Sequence, residues 1–130
     1  MATYEGIKAV TTVTRRRKLA EAERTGTIPP ITHMAWGDGG HDPVTGEPLD
    51  ADDEALTVMG EHTKVPIDSI EVSENVVTVT AVLDRSNAVG KTISSVGLYD
   101  SDGDLVAIRN KVPVVKDDDT WIEDIWTEVF

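Results

Sequence analysis

Ile31-Thr32-His33-Met34-Ala35-Trp36-Gly37-Asp38-Gly39-Gly40 is the stretch from which the rest of the chain can be read. Ile31, His33 and Ala35 alternate with Thr32, Met34 and Trp36, which is the two-residue period of a β-strand. Gly37, Gly39 and Gly40 follow at once and supply backbone angles that other residues resist. The pattern predicts a strand that runs into a tight turn and makes a fixed corner.

Upstream, Pro29-Pro30 forces an extended entry into this strand. Before it, Arg15 to Arg24 is made almost wholly of helix formers, with Thr11, Thr12 and Thr14 as candidate caps and Thr25-Gly26 as the stop. Its apolar stripe is only Leu19, Ala20 and Ala22. The helix is therefore expected to pack narrowly and to leave Arg15, Arg16, Arg17 and Lys18 largely in water. Tyr4 to Val10 carries a weak edge-strand alternation.

Downstream, Gly37 to Ala51 reads as a loop rich in Gly, Pro and Asp, long enough to be a candidate for function. Asp53 to Met59 is too short to assign. Ile67 to Val72 and Val76 to Leu83 read as strands around a Glu74-Asn75 turn, with Val77, Val79, Ala81 and Leu83 on one face. Thr92 to Asp100 and Leu105 to Lys111 form a second hairpin closed at Ser101 to Asp104, with Val96 and Leu98 as its buried residues. In Trp121 to Phe130 the apolar residues recur every four positions, as on a helix, yet the composition favours a strand. Strands following strands without helical crossovers argue an antiparallel sheet. The expected fold class is α+β, an N-terminal helix packed on a mainly antiparallel β-sheet or sandwich. Its 130 residues fit a single domain spanning 1–130.

Charge narrows the partners. The chain carries a net charge of −12, but its first 24 residues are net basic through Lys8, Arg15, Arg16, Arg17, Lys18 and Arg24. The acidic remainder repels nucleic acid and anionic lipid, so neither is expected as a partner. There is no cysteine, so disulfides, thiolate metal sites and cysteine nucleophiles are excluded. Without a long apolar run or a secretory start, the expectation is a soluble chain made in the cytoplasm.

Motifs that resemble chemistry fail on spacing. Asp100-Ser101-Asp102-Gly103-Asp104 offers hard oxygen ligands, but a calcium loop needs its glycine sixth and a glutamate twelfth, so a hairpin turn is favoured. Asp38, His41 and Asp42 are read as polar residues of a glycine loop rather than a metal site, and His33, His41 and His62 are too scattered for zinc. Gly90-Lys91-Thr92 lacks the earlier glycine of a phosphate-binding loop, since Arg85 stands there. No cofactor or metal is expected, and no nucleophile elbow or distinctive carboxylate pair points to an enzyme.

Two blocks carry a family resemblance. Ile31 to Gly39 matches an I-T-H-M-A-x-G-D-G strand and turn, and Ile93 to Ile108 matches an I-S-x-V-G-L-Y-D-x-x-G-D-L-V-A-I hairpin, in the right order. In both, the chain resembles the N-terminal domain of bacteriophage tail-collar fibre proteins. The resemblance implies a structural part of a phage tail or phage-tail-like particle, an adaptor or attachment domain that links the tail fibre to the baseplate. Its implied partners are baseplate or tail proteins and the fibre protein, and its implied assembly is a homotrimer in the virion tail. It also implies a strand at Trp121 to Phe130. With its last residue at Phe130 and no repetitive shaft, the chain is expected to be a short adaptor, an attachment domain for a separate fibre chain, or a piece of a longer fibre.

The expected contact residues are the concentrated positive charge of Arg15, Arg16, Arg17 and Lys18 and the dense apolar cluster of Trp121, Ile125, Trp126 and Phe130, since charges steer approach and buried aromatics hold a complex. The alternative function is a small β-rich carbohydrate- or receptor-binding module that reads a glycan through the Gly37 to Ala51 loop, with Trp36 stacking on the sugar. An enzyme acting through Asp38 and Asp42 ranks behind both.

Overall fold

The computed structural model describes residues 9–129. Eight strands and one helix follow in the order β1 (Val10–Thr11), α1 (Val13–Thr25), β2 (Ile31–Gly37), β3 (Glu61–Pro66), β4 (Ser69–Ser73), β5 (Val76–Leu83), β6 (Thr92–Asp100), β7 (Leu105–Val115) and β8 (Ile122–Val129). They make a five-stranded sheet ordered β1-β7-β6-β2-β3 and a three-stranded sheet ordered β4-β5-β8. Every pairing is antiparallel. The Ile31 strand lies inside the larger sheet, between β6 and β3, as its two-residue alternation requires.

The two sheets bury one face of each against the other. Met34, Trp36, Val96, Leu98 and Ala107 from the larger sheet meet Val79, Ala81, Leu83 and Trp126 from the smaller one, all fully or almost fully buried. The opposite face of the larger sheet is covered by a loop. Ala55 and Val58 pack there against Ala35, Tyr99 and Ile108. Gly97 makes that approach possible, because a Cβ on it would stand 2.6 Å from Val58 Cγ2 and 3.0 Å from the Ala107 carbonyl oxygen. Tyr99 fixes the loop by accepting the Val58 N–H at 3.0 Å and donating to Glu61, with Lys64 Nζ 3.8 Å from the ring centre. Burial pushes the Tyr99 phenol up, and the Glu61 hydrogen bond reinforces the shift.

This architecture corrects the α+β expectation. Strands account for 48% of the described residues and helix for 11%, so the fold is mainly β and sandwich-like. The physical reason is the poverty of the helix stripe. α1 offers half-buried Leu19 and Ala22 and a buried Arg15, too little apolar surface to cover a sheet, and the second sheet and the 51–60 loop take that role instead.

Other expectations meet the structure element by element. Both predicted hairpins form, β7 running on to Val115, and the C-terminal segment is a strand as the resemblance implied. β3 was not foreseen: Glu-His-Thr-Lys-Val-Pro has no apolar alternation, and it is an edge strand held by backbone pairing to β2. Of the weak Tyr4 to Val10 strand only Val10 falls in β1, while Tyr4 to Lys8 and Phe130 lie outside the described residues. None of the described helices is long and apolar enough to cross a membrane.

Candidate partner-binding surface

The helix is tied to the sandwich by its cap. Thr12 Oγ1 accepts the Arg15 N–H at 3.1 Å and donates to the Leu105 carbonyl at 2.6 Å, so the residue that starts α1 also anchors it to β7. The Val13 N–H donates to the Asp53 carbonyl at 2.7 Å. Gly26, at φ 75°, closes the helix in the left-handed region with its N–H on the Ala22 carbonyl at 2.7 Å. Held this way, α1 turns one face toward the Ser101 to Asp104 turn of the β6–β7 hairpin. Arg15 and Lys18, three residues apart, share that face.

Lys18 Nζ sits 2.7 Å from Asp100, 3.1 Å from Asp102 and 2.8 Å from Asp104. The Asp100 side chain is buried, and it also accepts the backbone N–H groups of Asp102 at 3.0 Å and Asp104 at 3.1 Å. Arg15 Nη1 donates to the Pro29 carbonyl at 2.7 Å and lies 3.5 Å from Asp100. Burial works against the charge on Lys18, but the hydrogen bonds to Asp100, Asp104 and Asp102 outweigh it and raise its pKa. Asp100 shows the mirror image: burial works against its charge, yet Lys18 and the two N–H groups hold its pKa low. Burial lowers the pKa of Arg15 against the pull of Asp100.

Two readings change here. The three carboxylates do converge, with ligand atoms within 4.8 Å of one another, but an ammonium of the same chain occupies their focus. The basic run is also not uniformly wet, because Arg15 is buried and Lys18 largely covered, while Arg16 and Arg17 remain exposed. Arg16 reaches Asp53 at 2.6 Å as a surface pair.

The predicted aromatic cluster is divided by strand alternation. Trp126 is 1% exposed, its ring lying under the Arg109 guanidinium at 4.6 Å and its Nε1–H donating to Glu128 at 2.9 Å. Ile125 points to the outer face of the smaller sheet and is half-buried; Trp121, ahead of β8, is exposed. Phe130 lies outside the described residues. Behind Trp126, Asp124 accepts Trp36 Nε1–H at 2.6 Å and Arg109 Nη2–H at 3.1 Å inside the sandwich. This buried network was missed from sequence. The available signal was Arg109 after the apolar run Leu105 to Ile108, since a charge carried into a core must find a partner.

Trp36 is fully buried, so it cannot stack on a sugar in the folded chain. The Gly37 to Ala51 loop is closed on itself by a His41–Pro48 bridge. Asp42 accepts the N–H groups of Val44 at 2.7 Å and Thr45 at 3.1 Å, which lowers its pKa. His41 Nδ1 meets Ser94 Oγ at 2.9 Å, Ser94 donates to the Gly39 carbonyl at 2.7 Å, and Asn110 donates to the Leu49 carbonyl at 3.1 Å. Of the polar residues singled out in this loop, His41 and Asp42 hold it down through their side chains, and Asp38 does so through its backbone N–H on the Gly60 carbonyl at 3.3 Å.

The family model of the phage tail-collar fibre protein N-terminal domain matches residues 3–121, and the chain belongs to that family. Its place is therefore the virion tail, where it is a structural component associated with other tail proteins. No curated protein and no solved structure gives a significant match.

Proposed function

We propose that the chain is a single attachment domain, a non-enzymatic adaptor that joins the tail fibre to the baseplate and works as a homotrimer. The observation that carries this reading is a rigidly mounted helix whose Arg16 and Arg17 stay exposed on an otherwise acidic chain, together with an exposed Trp121 just ahead of β8. Exposed guanidinium groups steer approach, and a free indole supplies an anchor for a partner. In this reading Arg15, Lys18 and Trp126 serve the contact from behind by fixing the helix and strand, while Ile125 adds apolar surface on the outer face of β8; Phe130 is retained as a contact residue on its sequence alone. The trimer is carried over from the family resemblance.

The test is incorporation into particles. Arg17→Glu is expected to slow incorporation in a salt-dependent way, and Trp121→Ser to lower the amount retained in purified tails, with both purified variants melting as the parent does. Unchanged incorporation of both variants would refute these contact surfaces. A monomer by sedimentation, in purified protein and in dissociated tails alike, would refute the trimer.

A further inference from the structure

The sandwich is open at one corner. The pairing of Ile70 with Val79 and of Val72 with Val77 puts Ile70 and Val72 on the inward face of the smaller sheet, yet they are 46% and 69% exposed. They line a groove of about 190 Å³ together with Leu19, Ile31 and Val106, with Arg15 and Glu128 as its charged members. β4 is also an edge. Among the described residues no strand pairs with its side away from β5, so alternate N–H and C=O groups along Ser69 to Ser73 remain available to another strand.

We propose that β4 accepts an extended segment of a different protein, one with apolar residues at alternate positions and a basic residue between them. Such a segment would continue the smaller sheet by one strand. Its two apolar side chains would enter the groove against Ile70, Val72 and Leu19 and bury their aliphatic surface there. Its outward residue would stand opposite Glu71.

Charge decides between a second copy and a foreign strand. Ser69-Ile70-Glu71-Val72-Ser73 has the same polarity pattern read in either direction, so it is shaped for antiparallel pairing with itself. In the register that uses all five residues, however, Glu71 would face its own twin, and like charges directly opposite are destabilising. Asp68 and Glu74, both exposed, flank the strand with further negative charge. An edge guarded by a central acid rejects its own copy and selects a cation. This inference goes beyond the adaptor reading and can fail or hold independently of it, because it concerns which sequence the edge accepts.

The experiment is a titration of ¹⁵N-labelled protein followed by amide shifts. The probes are the synthetic peptide Ser-Thr-Thr-Val-Lys-Val-Thr-Thr-Ser and the same peptide with Glu in place of Lys. The lysine peptide is expected to shift the amides of Ser69 to Ser73, Leu19 and Ile31, and to bind about fivefold tighter than the glutamate peptide, a favourable cross-strand pair being exchanged for a repulsive one. Glu71→Lys, an exposed substitution, is expected to reverse the preference. Absence of shifts at millimolar peptide, shifts confined to another surface, or equal binding of the two peptides would overturn the proposal. So would a concentration-dependent dimer formed through Ser69 to Ser73, which would give the edge to a second copy.

Discussion

Lys18→Met should destabilise the protein by about 2 kcal/mol. Removing one partner of a fully buried ion pair costs about 3–5 kcal/mol, because the other charge is left unpaired. Here the cost is reduced on two counts. The Lys18 side chain keeps 20% exposure, and Asp100 retains Arg15 at 3.5 Å and two backbone N–H groups. Asp102 and Asp104 are half in water already and add little. What is lost is the 2.7 Å charged hydrogen bond to a buried carboxylate, worth about 1.5–3 kcal/mol. The melting temperature should fall by roughly 6–10 °C in a domain of this size. Urea unfolding should show a lower midpoint with an unchanged slope. Arg16→Met, which breaks only the exposed pair with Asp53, should cost no more than about 0.5 kcal/mol.

The acid limb separates this account from a loss of helix packing. Asp100 is held below its unfolded pKa of about 3.9, so its contribution is present above that value and is lost as pH falls through the folded pKa. Lys18 is held above its unfolded pKa of about 10.4, so its contribution is complete below that value and is lost only as pH rises through the folded pKa. The gap between parent and Lys18→Met should therefore be flat between about pH 5 and pH 10 and close below about pH 4. A gap of equal size at pH 3 and pH 7, or one smaller than about 0.5 kcal/mol at pH 7, would refute the buried-pair reasoning.

Two further outcomes follow from the core. Trp36→Phe keeps most of the buried ring but removes the 2.6 Å donor to Asp124, and should cost about 1.5–3 kcal/mol in urea unfolding; a cost below about 0.5 kcal/mol would mean that Asp124 is satisfied without the indole. Gly37→Ala would bring a Cβ within 2.2 Å of the Met59 carbonyl oxygen and 2.8 Å of the Gly60 carbonyl carbon, so the 51–60 loop must shift, with a loss of about 1–3 kcal/mol. Faster hydrogen exchange at the Val58 amide should accompany it, and parental exchange there would place the strain elsewhere.

Where the pattern of one strand carries its own information, the fold was legible. Val76 to Leu83 alternates because one of its faces is buried, and burial writes itself into a two-residue period; Ile31 to Gly37 and the Thr92 hairpin are buried on both faces, and there the glycine corner and the Ser101 to Asp104 turn marked the strand ends. β3 was not legible, since Glu61 to Pro66 is an edge strand recruited by the backbone of β2 and half in water. The class was misjudged for a related reason. A helix is easy to recognise from its formers and caps, but whether it forms a layer depends on how much apolar surface it presents, and α1 presents little. The C-terminal aromatics illustrate the remaining ambiguity. Spacing of four suits either period, and only the pairing of Trp126 with Val79 and Ile125 with Thr80 decides that the two side chains part to opposite faces.

The basic run is the more instructive case, because composition alone made it a surface feature. Arg15 and Lys18 lie on one helical face and Arg16 and Arg17 do not, a division that the i, i+3 relation contains from the start. The missing half was the acid. Asp100, Asp102 and Asp104 alternate across a tight turn, which places three carboxylates close together, and such a cluster requires a cation to be stable. With calcium spacing absent, a basic helix face in the same chain was the remaining source of that cation. Reading the two charge runs as each other's partner joins the first helix to the last hairpin, and that contact positions Arg16 and Arg17 to face outward.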